Sequence, residues 1–163
     1  MSEQVRARRL VSLVRTPTGF DVLINLANDV DVPLGLRTHA GERDRQLRRA
    51  MERSGGTVVR RGRECHFFLA DEEPCRELVA QLQAILIEVS RKPIGQKVVE
   101  RVLGITSVER SRWGKDGRLP TSGSVQIRRG STITLPTYSP IVIEQLASCP
   151  ALIAEWRARD NER

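Results

Sequence analysis

The chain has 163 residues, 39% of them hydrophobic, and a formal charge of +7. That apolar fraction suffices for two small domains or one elongated one; no run approaches the ~18–20 apolar residues of a membrane span, and MSEQVRARRL lacks the apolar stretch of a signal peptide. A cytoplasmic protein with no membrane partner is therefore expected. The three cysteines, Cys65, Cys75 and Cys149, are odd in number and far apart, which argues against a disulfide framework. With His39 and His66 they give no zinc spacing, because Cys65 and His66 are adjacent and neighbours on a strand face opposite ways.

Residues 10–14 (LVSLV) and 20–26 (FDVLINL) flank Thr16-Pro17-Thr18-Gly19 and predict a β-hairpin. Residues 29–41 read as irregular, with Pro33, Gly35 and Gly41 as breaks. A charged helix is expected from Glu42 to Ser54: Leu47, Ala50 and Met51 give a narrow apolar face, Arg43, Arg45, Arg48, Arg49 and Arg53 crowd the rest, and Gly55-Gly56 ends it. Residues 57–61 and 64–70 predict a second hairpin around Gly62. Behind Pro74, the residues Cys75, Leu78, Val79, Leu82, Ile85, Leu86 and Val89 recur at helical spacing. Two hairpins and two helices make residues 1–90 a ββαββα-like domain. Its last stripe either completes the domain core or faces a second copy to make a homodimer. The arginine-rich helix and the Arg60-Arg61-Gly62-Arg63 turn form either a second nucleic-acid surface or a solvated face, since 14 basic and 13 acidic residues leave residues 1–90 at only +1.

The charge sits further on. Between Arg91 and Thr137 ten basic and three acidic residues give that stretch +7, the whole net charge of the chain, and all three lysines lie there. Charge concentrated in one segment points to a partner with a regular array of negative charge. Val98, Val99, Val102 and Leu103 give a helix that begins after Pro93 and stops at Gly104, which suits a left-handed C-terminal position. Ile105 anchors the turn, and Thr106 with Glu109 forms a capping box for a second helix running through Trp113 to about Lys115, where Asp116-Gly117 ends it. Its exposed positions are expected to include Ser107, Arg110 or Ser111, Arg112 and Lys115, donors suited to phosphates or purine edges. Val125 and Ile127, then Ile133 and Leu135, alternate with polar residues around Arg128-Arg129-Gly130-Ser131, so two strands with arginines at the tip form a wing able to reach a phosphate backbone. Ser139 is expected to cap a helix that Pro140 opens and Ile141, Val142, Ile143 and Leu146 continue. Residues 151–159 predict a two-turn helix packing back through Leu152, Ile153 and Trp156.

Helix, turn, helix, wing and closing helix in this order resemble the winged helix-turn-helix of the MerR and excisionase families. The resemblance is carried by Val98 to Thr106, Arg112-Trp113, Asp116-Gly117-Arg118-Leu119-Pro120, and Tyr138-Ser139-Pro140 before Ile143 and Leu146, and it covers roughly residues 93–147. The expected fold is α+β: a C-terminal winged helix-turn-helix in residues 91–163 behind the N-terminal two-hairpin, two-helix domain. The resemblance implies sequence-specific binding of double-stranded DNA by a small, nucleoid-associated transcriptional regulator of a bacterium or phage. Thr106, Ser107, Arg110, Arg112, Lys115, Arg118, Arg128 and Arg129 are the expected contacts. One position departs from the pattern: Arg110 stands where such helices bury an aliphatic residue, so either Val108 takes over the core contact or Arg110 buries its stem and extends its guanidinium outward. The sensor cysteines of the family have no counterpart, and neither a small-molecule effector nor a cofactor is expected.

Other readings remain. The chain can be an excisionase-like recombination accessory, or a protein-interaction module acting through the helix at 75–89. No Gly-rich phosphate loop or nucleophile elbow marks an enzyme, which leaves a metal-dependent nuclease built on Asp21, Asp29, Asp31 and Glu64.

Overall fold

The computed structural model describes residues 6, 9–26, 32–55, 57–61 and 64–162, and only the backbone of residues 57–61, 64, 65, 129 and 131. The fold is α+β, and the chain divides into two compact units, Met1–Ser90 and Arg91–Arg163.

In the first unit, β1 (Val11–Thr16) and β2 (Gly19–Asn25) form one hairpin, β3 (Thr57–Arg61) and β4 (Glu64–Leu69) another, and β2 pairs with β4. The sheet is antiparallel throughout, in the order β1-β2-β4-β3. Alternation along the strands places Val11, Val22, Ile24 and Phe67 in the core. Helices α2 (Ala40–Arg53) and α3 (Glu72–Ser90) supply the rest: Leu47, Ala50 and Met51 from the first, and Cys75, Leu78, Leu82, Leu86 and Val89 from the second. The stripe on α3 thus closes the core of its own unit. Each leucine so buried contributes about 1.5–3 kcal/mol, which accounts for the stripe without a second copy.

The structure departs from expectation between the first hairpin and α2. Leu34–Thr38 forms a short helix, α1, with Leu34, Gly35 and Leu36 buried. Gly35 is not a break but a close approach, because a Cβ there would lie 1.9 Å from the Ser90 carbonyl oxygen. Helix α3 starts ahead of Pro74, which occupies the first turn, where its missing N–H is not needed.

The second unit begins with Ile94 and Tyr138 exchanging both backbone hydrogen bonds, at 2.9 and 3.0 Å. Helix α4 (Gln96–Leu103) ends at Gly104 in the left-handed region, φ 62°, and α5 (Ser107–Lys115) follows across a short turn. Strands β5 (Gly123–Arg129) and β6 (Ser131–Thr137) form a hairpin about Gly130, φ 75°. Helices α6 (Pro140–Ala147) and α7 (Pro150–Asn161) close the unit. Its buried side chains include Ile94, Val99, Leu103, Ile105, Trp113, Leu119, Tyr138, Ile143, Ile153 and Trp156. The two indoles meet edge to face, 5.0 Å between centroids, the preferred geometry for two quadrupoles.

Two local expectations change here, and one feature is new. Ser139 sits at the cap position of α6, but its side chain makes no capping hydrogen bond, so Pro140 alone marks the helix start. Helix α7 extends beyond two turns. The cross-strand pairs Val125↔Leu135 and Ile127↔Ile133 share one face of the hairpin, yet Val125, Ile127 and Ile133 stay at least 36% exposed.

Candidate nucleic-acid interface

The start of α5 is set by reciprocal bonds. The Thr106 Oγ1 accepts from the Glu109 amide at 3.1 Å, and a Glu109 carboxylate oxygen accepts from the Thr106 amide at 2.7 Å. Arg157 from α7 then donates to the other Glu109 oxygen at 2.6 Å and to the Gly104 carbonyl at 2.8 Å. The Arg157 hydrogen bond is the main reason the Glu109 carboxyl is held below the usual carboxylate range. Thr106 is therefore a capping group, and its hydroxyl is committed to the helix.

Two expected contacts turn inward. Arg110 donates to Glu100 on α4 at 2.9 Å and to the Tyr138 hydroxyl at 3.3 Å, with its side chain only 12% exposed. Neither sequence alternative is met. Val108 is 65% exposed and takes no core contact, and the Arg110 guanidinium, not merely its stem, is held inside an ion pair. Arg118 is similarly committed: it pairs with Asp116 and Asp160, both at 2.6 Å, donates to the Trp156 carbonyl at 3.1 Å, and lies 5.6 Å over the Trp113 ring. Those two carboxylates raise its pKa further, so it remains a cation at every accessible pH.

Asp160 holds these parts together. It accepts from Trp113 Nε1 at 2.9 Å, from Arg112 at 3.0 Å and from Arg118 at 2.6 Å. The Arg118 hydrogen bond first, then that of Trp113, brings its pKa down to about 2. One carboxylate on α7 thereby fixes both the angle of the Trp113 indole and the turn that ends α5.

The remaining expected contacts face outward. Ser107, Ser111 and Lys115 recur every four residues on α5 and are exposed, with Val108 and the 53% exposed Arg112 beside them. Arg128 is exposed near the hairpin tip; the Arg129 side chain lies outside the described atoms. Sequence reasoning left Lys97 and Arg101 out of the site. They stand four apart on α4 and are both exposed, a signal available from the spacing of α4's apolar residues, which point the other way. Asp160 was missed because nothing local marks it.

Of the proposed nuclease carboxylates, only the Asp21 side chain lies within the described residues. Asp21 is a strand residue, nine-tenths buried, accepting from His66 Nδ1 at 2.7 Å and from the Phe67 amide at 3.3 Å. Asp29 and Asp31 lie outside the described residues, as does the side chain of Glu64, and among the described residues no cluster of potential metal ligands occurs. No described helix is long and apolar enough to cross a membrane. No protein-family model matches the chain, and neither a curated protein nor a solved structure shows significant similarity to it.

Proposed function

We propose that residues 91–163 bind double-stranded DNA as a winged helix-turn-helix of MerR and excisionase type, in a small transcriptional regulator acting at the nucleoid. One observation carries this reading. Arg110, Arg118 and Arg157, which steady the unit, are paired with carboxylates, whereas Lys97, Arg101, Lys115 and Arg128 are exposed and, among the described residues, have no carboxylate partner. Unneutralised cations on a helix pair and a hairpin suit a phosphate backbone.

In this reading α5 enters the major groove. Ser107 and Ser111 face base edges, joined by the part of the half-exposed Arg112 guanidinium that Asp160 does not engage; Lys97, Arg101 and Lys115 hold phosphates, and Arg128 with Arg129 sets the hairpin against the backbone. Arg110 and Arg118 leave the contact set proposed from sequence and become supports of α5, as does Thr106.

Binding of a labelled duplex across a salt series tests the reading. Four phosphate-paired cations give a slope of log affinity on log salt of at least about −3.6, so raising salt from ~50 to ~200 mM weakens binding about 150-fold. Affinity that does not change with salt refutes it. Arg112→Ala should lose about 1–3 kcal/mol of discrimination at one base pair, while Arg128→Gln should weaken all sequences alike. Mapping of bound DNA in the native host checks the regulatory role, which predicts clustering at promoters.

A further inference from the structure

Helix α2 in the first unit carries a stripe of arginines that the fold does not use. Leu47, Ala50 and Met51 face the core. Arg45, Arg48, Arg49 and Arg53 are exposed on the other side, together with one exposed acid, Glu52. A helix rises ~1.5 Å per residue, so Arg45, Arg49 and Arg53 follow one another at ~6 Å intervals, with Arg48 alongside.

Pairing distinguishes these arginines from others in the chain. Arg43, at the inner edge of α2, pairs with Asp44 at 2.8 Å; Arg76 pairs with Glu72 at 2.5 Å, Arg157 with Glu109 at 2.6 Å, and Arg159 with Glu155. Glu52 lies four residues beyond Arg48 and three beyond Arg49, positions from which a carboxylate can reach back. Even so, among the described residues no carboxylate closes on Arg45, Arg48, Arg49 or Arg53, and the hydrogen bond from Arg53 goes to the Arg49 carbonyl at 3.2 Å. Like charges four apart repel along the helix. The residue type is also selective: residues 1–90 contain no lysine, and arginine presents a planar fork that grips phosphate through two parallel bonds.

We infer that the outer face of α2 is a second phosphate-binding surface, which holds the backbone of duplex DNA without reading its bases. The identity of the polyanion rests on the reading of the second unit as a duplex binder; the surface itself rests on α2 alone. The near-zero net charge of residues 1–90 does not oppose it, because attraction at a few ångströms follows the local array. Four of the thirteen acids of residues 1–90, Asp71, Glu72, Glu73 and Glu77, gather near the start of α3, and Glu72 and Glu73 lie in its first turn, where a helix N-terminus favours them.

The test uses the full chain and a labelled mixed-sequence duplex. One variant carries Arg45→Gln, Arg48→Gln, Arg49→Gln and Arg53→Gln; a second carries Lys97→Gln, Arg101→Gln, Lys115→Gln and Arg128→Gln. Far-UV circular dichroism and melting verify that each is folded. The α2 variant should lose about 2 to 3.6 from the salt slope and at least about tenfold in affinity at low salt. A salt slope equal to that of the unaltered chain overturns the inference, and if the second variant still loses slope, the reading of the second unit survives. Absence of duplex binding by the unaltered chain overturns both. The exposed acids of α3 make a second copy the competing occupant. If the α2 variant abolishes self-association in sedimentation while leaving the duplex slope intact, the stripe joins copies of the chain and the inference fails.

Discussion

Arg110→Ala separates a supporting role from a DNA contact. The substitution removes a guanidinium that is 12% exposed and strands the Glu100 carboxylate, 17% exposed, while the Tyr138 hydroxyl loses its donor. An ion pair open to water contributes about 0–1 kcal/mol, and removing one partner from a fully buried pair costs about 3–5 kcal/mol. A pair at this depth lies between, at about 2–3 kcal/mol. For a domain of this size that lowers the melting midpoint by about 10–20 °C. Both tryptophans of the chain, Trp113 and Trp156, belong to the second unit, so tryptophan fluorescence during thermal or urea denaturation reports that unit selectively. Combining Arg110→Met with Glu100→Gln should recover much of the loss, because no charge is then left without a partner, and the double-mutant cycle should give a coupling near 2 kcal/mol. An Arg110→Ala protein with an unchanged midpoint and weakened duplex binding would refute this, and would place the guanidinium at the interface.

Three further outcomes follow from named contacts. Asp160 titrates near 2 in the folded chain against an ordinary 3.8, so its contribution to stability is complete above about pH 4 and is lost as pH falls through 2. Asp160→Asn should therefore flatten the acid limb of a fluorescence titration in that window, and superimposable limbs would rule the linkage out. Gly114 occupies the last turn of α5, and a Cβ there would meet nothing within 4 Å. Gly114→Ala should stabilise the second unit by about 0.5–1 kcal/mol; a lower urea midpoint would contradict the open space, and a more stable protein with poorer duplex affinity would reveal close approach of DNA to the backbone. Gly35→Ala drives a methyl to 1.9 Å from the Ser90 carbonyl oxygen. It should cost about 1–3 kcal/mol by overpacking, read from chemical denaturation by far-UV circular dichroism, and unchanged stability would show that α1 can move aside without cost.

What the sequence revealed was written in neighbouring residues. The two N-terminal hairpins follow from alternation beside turn residues, the α3 stripe from helical spacing, and the cap of α5 from Thr106 and Glu109 three positions apart. Helix α1 was hidden because Gly35 looks like a break when the carbonyl it must accommodate belongs to Ser90, at the far end of α3. The candidate site was half legible for a related reason. Charge and period place Ser107, Arg112, Lys115 and Arg128 on exposed positions, but they treat every arginine of the segment alike. Whether an arginine faces water or a carboxylate depends on partners brought by the tertiary fold: Glu100 for Arg110, and Asp160 for Arg118. Exposure of the hairpin's apolar face could not be read from the sequence at all, since alternation gives the same pattern whether or not a core lies beneath it.

The Asp160 contacts also bear on the order in which the second unit can be completed during synthesis. Its partners precede it by 42 to 48 positions, whereas the cap of α5 spans three and the hairpin closes about a single glycine. Short loops close early and long ones late. As the chain emerges from its N-terminus, the residues of α4, α5 and the hairpin are available to fold before Trp156 and Asp160 reach the Trp113 indole. A nascent chain stalled before Pro150 therefore contains every outward-facing cation proposed to meet DNA, but lacks the helix whose Asp160 holds Arg112 and Trp113 of α5.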